Sequence, residues 1–300
     1  GATELWLWAA ESGRQAQLTH LGNHIAGYSW ARDGQSLLVA ANARGSYDIY
    51  RVSVPSGATQ RLTTDTRYEV SPVETPDGTR VLYVRLDEHW VDHEIVSVAA
   101  GGGDAQVIAN DTDFFDYHYG RTFGVPVVSP DGSTVLFRSH RSGWINYWAV
   151  PVGGGEPHQY CPQAADQSGA TWSPDGRQLA FLSNTNGTVA LWCCDADGSN
   201  ARVLVAPAQG VCAAPAWSPD GATIAFFRSA PDDTQDLWLV EVASGTARRV
   251  TDTLPVGLRG QLLQPEKITY SSFDGLPIHA YVYRPTASAA NQRIPAVLHI

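Results

Sequence analysis

Residues 170–183 read ATWSPDGRQLAFLS, two apolar runs joined by the turn Ser173-Pro174-Asp175-Gly176. Each turn residue solves a separate problem of reversing the chain. Pro174 presets φ at about −65°, Asp175 can bond back onto the backbone, and Gly176 accepts a positive φ without steric cost. Ala170-Thr171-Trp172 before the turn and Leu179-Ala180-Phe181-Leu182 after it are β-formers, so the stretch predicts a hairpin.

The same turn recurs along the chain as Ala31-Arg32-Asp33-Gly34, Thr75-Pro76-Asp77-Gly78, Ser129-Pro130-Asp131-Gly132 and Ser218-Pro219-Asp220-Gly221, its aspartates 44, 54, 44 and 45 residues apart. After each turn comes a β-run, a loop, and a third run that starts polar in most copies and continues apolar: Asp48-Ile49-Tyr50, Glu94-Ile95-Val96, Asn146-Tyr147-Trp148, Ala190-Leu191-Trp192, Asp236-Leu237-Trp238. A glycine turn and a short fourth run such as Gln60-Arg61-Leu62-Thr63 close each copy. Four antiparallel strands in a period of about 45 residues predict an all-β propeller of four-stranded blades. Unrelated hairpins in a sandwich would not keep one strand order through five copies.

Glu4-Leu5-Trp6 and Gln17-Leu18-Thr19 match only the third and fourth runs of a copy. The segment 268–284, a strand, an FDG turn and a strand, can supply the missing first two. The expectation is therefore a six-bladed propeller over residues 1–265 with one blade closed by N- and C-terminal strands, a larger ring being the alternative. Residues 266–300 read as the start of a second domain, with 268–284 completing the split blade and Thr286 to Gln292 as a mobile linker. A chain that has no Met and opens inside a repeat reads as a processed or cloned fragment.

Composition narrows the function classes. A formal charge of −10, with one lysine against nineteen arginines, excludes a basic nucleic-acid surface as the default. No window holds 18 consecutive apolar residues and no signal segment opens the chain, so the expectation is a soluble protein, cytoplasmic rather than exported, without a membrane span. Cys161, Cys193, Cys194 and Cys212 lack metal-type spacing; Cys193 and Cys194 fall on opposite faces of one strand, so at most one disulfide is expected and buried thiols are preferred.

The WSPDG-type repeats over residues 4–251 resemble the propeller repeats of TolB and of the prolyl oligopeptidase family. The tail adds a second resemblance: Gln264 to Gly275, Ile278 to Pro285 and Ile294 to Ile300 are similar to the entry into the α/β-hydrolase domain in the acylaminoacyl-peptidase and dipeptidyl-peptidase branches. In that family the strand matching PAVLHI leads to a His-Gly-Gly oxyanion loop, with a G-x-S-x-G nucleophile elbow much further on. Neither motif occurs in these 300 residues; the nearest string, Gly120-Arg121-Thr122-Phe123-Gly124, has threonine at its centre. The resemblance implies the non-catalytic propeller of a serine peptidase, gating access to a missing hydrolase domain and holding a peptide terminus. No catalytic residue and no cofactor are assigned to it. A TolB-like scaffold for protein contacts is the alternative, and a metal-dependent propeller hydrolase a third reading.

Topology puts the loop between a blade's second and third strands on the same side as its exit loop. In the second full blade those loops carry Asp87, Glu88, His89, Asp92 and His93, and Asp111, Asp113, Asp116 and His118. Carboxylates there would hold a peptide amine, and His89, His93 and His118 with an aspartate would hold a divalent metal. The simpler reading is a pair of solvated loops with packed aromatics. Arg138-Ser139-His140-Arg141 is a local basic spot that can face the same side.

Overall fold

The computed structural model describes residues 2–22, 24–89, 92–112, 124–285 and 297. A first hairpin joins β1 (Trp6–Ala9) to β2 (Arg14–Gln17). Five units of four strands follow. The first holds β3 (Ile25–Trp30), β4 (Ser36–Ala41), β5 (Asp48–Ser53) and β6 (Thr59–Arg61); the second holds β7 (Tyr68–Glu74), β8 (Arg80–Leu86), β9 (Asp92–Ala99) and β10 (Gln106–Thr112). The third is β11 (Val127–Val128), β12 (Thr134–Ser139), β13 (Asn146–Pro151) and β14 (His158–Tyr160). The fourth is β15 (Asp166–Trp172), β16 (Gln178–Thr185), β17 (Thr188–Asp195) and β18 (Arg202–Val205), and the fifth β19 (Val211–Trp217), β20 (Thr223–Ala230), β21 (Asp233–Glu241) and β22 (Ala247–Arg249). A last hairpin pairs β23 (Glu266–Ser271) with β24 (Pro277–Val282). Among the described residues there is no α-helix, and no helix is long and apolar enough to cross a membrane.

Within each unit the strands pair in chain order, antiparallel throughout; one parallel contact, Val189 with Val211, joins the fourth unit to the fifth. The repeated turn is built as its residues dictate. At Gly176 φ is +69°, its N–H donates to the Ser173 carbonyl at 2.9 Å, and the Asp175 carboxylate accepts from the Arg177 N–H at 3.0 Å. The Ser173 hydroxyl donates to Asp175 at 2.6 Å and accepts from the Gln178 N–H at 2.9 Å. Serine, aspartate and glycine thus satisfy the backbone where the ladder stops. A Cβ placed on Gly132, Gly176 or Gly221 would lie 3.5–3.8 Å from Pro76, Pro130 or Pro174 of the preceding unit, so these turns stand in a row.

The sheets of the first four units are buried on both faces, with period-2 alternation assigning side chains to one neighbour or the other. Leu37, Val39 and Ala41 pack with Leu18 on one side, while Leu38 and Ala40 meet Val81 and Tyr83 on the other. Leu82, Val84 and Leu86 then face Val135 and Phe137. Leu136 faces Leu179 and Phe181, and Ala180 and Leu182 face Ile224 and Phe226. Each core is therefore an interface between consecutive sheets, and a unit alone would expose both faces.

The first hairpin takes the place of an outer strand pair. A Cβ at Gly57 would fall 2.3 Å from the Leu18 carbonyl oxygen, and one at Gly102 would fall 3.0 Å from that of Leu62, so β2 stands to the first unit as β6 stands to the second. The last hairpin does not complete this set. β1–β2 and β23–β24 are separate two-stranded sheets, and no ladder joins them among the described residues. The expected closure of one blade by N- and C-terminal strands is thus not formed as a shared sheet. Instead the Tyr281 ring lies against Gly187 in the β16–β17 turn, and the Gln209 side-chain amide donates to the Pro265 carbonyl at 3.2 Å. Residues 286–292, read as a linker, lie outside the described residues.

Candidate functional site

The polar residue that opens the third strand fastens the fourth. Asp48, fully buried, accepts from Arg61 at 2.8 Å, and buried Asp236 accepts from the Thr251 hydroxyl at 2.7 Å and from the Thr253 N–H at 3.0 Å. Asn146 takes the Gln159 amide at 2.7 Å, and Glu4 takes the Thr19 hydroxyl at 2.6 Å. Arg249 and three hydroxyl or backbone donors outweigh burial at Asp236 and hold its carboxyl far below the usual range.

Glu94 departs from this pattern. Its partners are Arg85, 2.6 Å away, and Arg67, 3.1 Å away, and both arginines also hold Asp65 at 3.0 Å. Two carboxylates and two guanidiniums alternate in a closed ring. The Arg67 hydrogen bond above all draws the Asp65 carboxyl down to about 2.

Arg67, Arg85 and Glu94 of this ring form the floor of a cleft of about 510 Å³, lined also by Asp87, Asp92, His93, Asn110, Asp111 and Arg141. Of the residues expected from the sequence, Asp87, Asp92, His93 and Asp111 line it. The register explains their meeting: Leu86 opposes His93, which in turn opposes Asp111 on β10. Asp87 closes the β8–β9 turn, accepting from the Asp92 N–H at 3.1 Å. Glu88 and His89 are exposed on that turn, 3.5 Å from each other, and do not line the cleft. Asp113, Asp116 and His118 lie outside the described residues.

Sequence reasoning finds the acidic half of this cleft but not its cations. Arg141 was legible only as part of a basic tetrad. It reaches from the third unit to Asp111 at 3.3 Å and to the Asn110 carbonyl, and its guanidinium lies 5.5 Å from the Trp148 ring centre. Arg67 and Arg85 carry no motif; only the pairing of β7, β8 and β9 brings them to Glu94.

His89, His93 and His118 are the candidate metal set offered by the sequence beside the simpler reading of solvated loops. His93 is buried on β9, His89 is exposed on the turn, and their four-residue spacing has no helix to bring them onto one face. Among the described residues no group of three or more His, Cys, Asp or Glu is arranged to hold a metal ion. With Arg67 and Arg85 held by Asp65 and Glu94, the cleft presents to a ligand the carboxylates of Asp87, Asp92 and Asp111 and the Arg141 guanidinium in a partly enclosed space, a lining suited to a ligand that carries both a cationic and a carbonyl group.

Four-stranded antiparallel sheets packed face to face in series define a β-propeller, the fold shared by TolB proteins and the N-terminal halves of prolyl oligopeptidase-type enzymes. The comparisons with known proteins agree with that class. A puromycin-hydrolyzing peptidase of Mycobacterium tuberculosis superposes with a TM-score of 0.79 at 19% identity, over 97% of this chain and 49% of that one. A protein solved as a putative TolB from Agrobacterium tumefaciens gives a TM-score of 0.59 at 18% identity, over 93% of this chain and 97% of that one. In sequence, the chain is 30% identical over 144 residues to the Tol-Pal system protein TolB of Anaeromyxobacter dehalogenans, covering 47% of this chain and 30% of that protein. It is 25% identical over 188 residues to the uncharacterized peptidase YuxL of Bacillus subtilis, covering 62% and 26%. The chain thus spans a minor part of both relatives and about half of the solved peptidase. No family model matches it.

Proposed function

We propose that this chain is the non-catalytic propeller of a prolyl oligopeptidase-like serine peptidase, gating substrate access and receiving a peptide terminus in the cleft between the second and third units. One observation carries the reading: the fold match takes in 97% of this chain and 49% of a peptidase, as expected of one of two domains. The hydrolase-entry motifs of residues 264–300 support it, as does the tail hairpin, whose Tyr270, Phe273 and Tyr283 stand exposed for a following domain to cover.

In the cleft, Asp87 and Asp92 at the mouth and Asp111 on the wall would attract a peptide amine, and Arg141 is placed to meet a peptide carbonyl. The Asp65–Arg67–Glu94–Arg85 ring would fix the floor, since its charges already satisfy one another. Calorimetric titration of short peptides with free or acetylated amino termini tests this. The reading expects free-amine binding weakened at least about tenfold, some 1.4 kcal/mol, by Asp87→Asn with Asp92→Asn. Equal affinity for blocked and free peptides, or none for either, overturns it.

The chain itself should release no p-nitroaniline from peptide substrates and bind no fluorophosphonate, because it holds no nucleophile elbow. Stoichiometric labelling of any serine would contradict this. The alternative, a TolB-like scaffold acting through protein contacts, draws support from the 30% identical segment shared with TolB. The coding sequence downstream of Ile300 separates the two: an oxyanion loop followed by G-x-S-x-G supports the peptidase, a stop codon the scaffold.

A further inference from the structure

The four thiols divide between two neighbouring cores. Cys193 and Cys194 are consecutive on β17, so the pleat sends them to opposite faces. Cys193 enters the core between the fourth and fifth units, where Cys212 also lies, and Cys194 enters the core between the third and fourth units with Cys161. All four are buried and reduced.

The two pairs are not alike. Cys161 sits just past β14 at φ +47°, and its thiol donates to the Gly198 carbonyl at 3.1 Å, in the turn that follows β17. The adjacent Tyr160 hydroxyl reaches the Asp195 and Ala196 carbonyls of the same turn, at 3.1 and 2.9 Å. These contacts set Cys161 beside Cys194, and interaction with the Cys161 thiol, ahead of burial, raises the Cys194 pKa. At Cys193 and Cys212 burial is the leading cause, pushing each up to about 11, and neither thiol acts on the other.

We propose that Cys161 and Cys194 form a dithiol that closes into a disulfide between the third and fourth units when the chain folds in the presence of oxidised glutathione. One protein thiolate attacks the glutathione disulfide, forming a mixed disulfide and expelling one glutathione thiolate. The second protein thiolate then attacks the protein sulfur of that mixed disulfide and expels the other glutathione. Two electrons pass to glutathione, and the two thiol protons end on the two released molecules. Closure belongs to folding, because in the folded chain Cys161 and Cys194 are both buried, out of reach of glutathione. The bond would add a covalent tie between the end of β14 and β17, where the Tyr160 hydroxyl already bridges the two units, joining residues 33 positions apart and restricting the unfolded chain.

Denatured, reduced chain is refolded in a glutathione redox buffer and, in parallel, in dithiothreitol; circular dichroism of the dithiothreitol arm establishes that each variant folds. Wild type and Cys193→Ser should lose about 2 Da in the glutathione arm, with Cys161 and Cys194 linked in the peptide map, while Cys161→Ser and Cys194→Ser should keep full mass. The oxidised wild type should melt roughly 5–10 °C above the reduced form. Folded, reduced chain placed in the same buffer should oxidise at least about tenfold more slowly than refolding chain. A wild type that refolds without losing mass, or a link mapped to Cys193 or Cys212, overturns the proposal. Oxidation of the folded chain at the refolding rate overturns its timing.

Discussion

At the scale of single residues, the most exposed assumption of a β-propeller is that its sheets meet through apolar faces, and Glu69 breaks it. Its side chain is 1% exposed on β7, close to the Thr63 and Tyr83 hydroxyls, and burial pushes its carboxyl from 4.5 up to about 7. A raised carboxyl pKa means that the neutral form favours the fold. That stability is fully present below about 4.5 and is lost as pH rises through about 7, a difference on the order of 3 kcal/mol. Gln167 shows what the position tolerates: its N–H donates to the Ile145 carbonyl as that of Glu69 does to Tyr47, and its amide bonds the Tyr147 N–H and the Cys161 carbonyl. Glu69→Gln should therefore match the wild type near pH 5 and exceed it at pH 8 by about 1–3 kcal/mol in chemical denaturation. Equal destabilisation at both pH values would show that the carboxyl is needed as such. Nothing in the sequence marks Glu69, because a lone acidic residue in a β-run reads as solvent-facing; burial becomes visible only when the next sheet is in place.

At the scale of elements, the turns were legible and the charge ring was not, for one reason. A turn is a local solution whose four residues are adjacent, so Ser-Pro-Asp-Gly announces itself. The ring draws Asp65 and Arg67 from the start of one unit, Arg85 from β8 and Glu94 from β9, and no spacing rule links them. Gly176→Ala should cost about 1–2 kcal/mol, since at φ +69° the penalty lies in the backbone and the added methyl meets Pro130 only at ordinary contact distance. Gly153→Ala, where neither a positive φ nor a close atom intervenes, should change the denaturation midpoint little. The ring's arginines should separate by burial. The Arg85 side chain is 10% exposed, and Arg85→Ala would leave Asp65 and Glu94 partly buried and repelling, a loss of about 3 kcal/mol. Arg67 is 41% exposed, and its alanine variant should lose under about 1 kcal/mol, with salt reducing the effect. Equal losses for the two would mean that the floor of the cleft is not held by its buried arginine.

At the scale of the whole molecule, the serial order of the sheets could be read from the repeat, but the fate of the tail could not. The repeat predicts each core as an interface between consecutive units; four clusters fall there and the fifth lies between the first hairpin and the first unit. Periodicity also assigns the segment 268–284 to the gap beside β1 and β2, because an FDG turn between apolar runs satisfies the same local rule as the others. Pattern alone cannot tell which sheet edge such a hairpin joins. Most side chains of β23 and β24 are exposed, their pairing is internal, and the described contacts with the rest of the chain include the Tyr281 ring on Gly187 and one hydrogen bond from Gln209 to Pro265. A hairpin that buries so little adds little to the array. Truncation after Gln264 should therefore lower stability by no more than about 1 kcal/mol, shifting the melting temperature by roughly 2–4 °C. Completion of a split blade by the same strands would instead cost several kcal/mol, as when several core side chains are lost together. Melting curves of the chain with and without residues 265–300, at one pH and salt concentration, decide between these outcomes: a drop of about 10 °C or more would place the tail inside the ring.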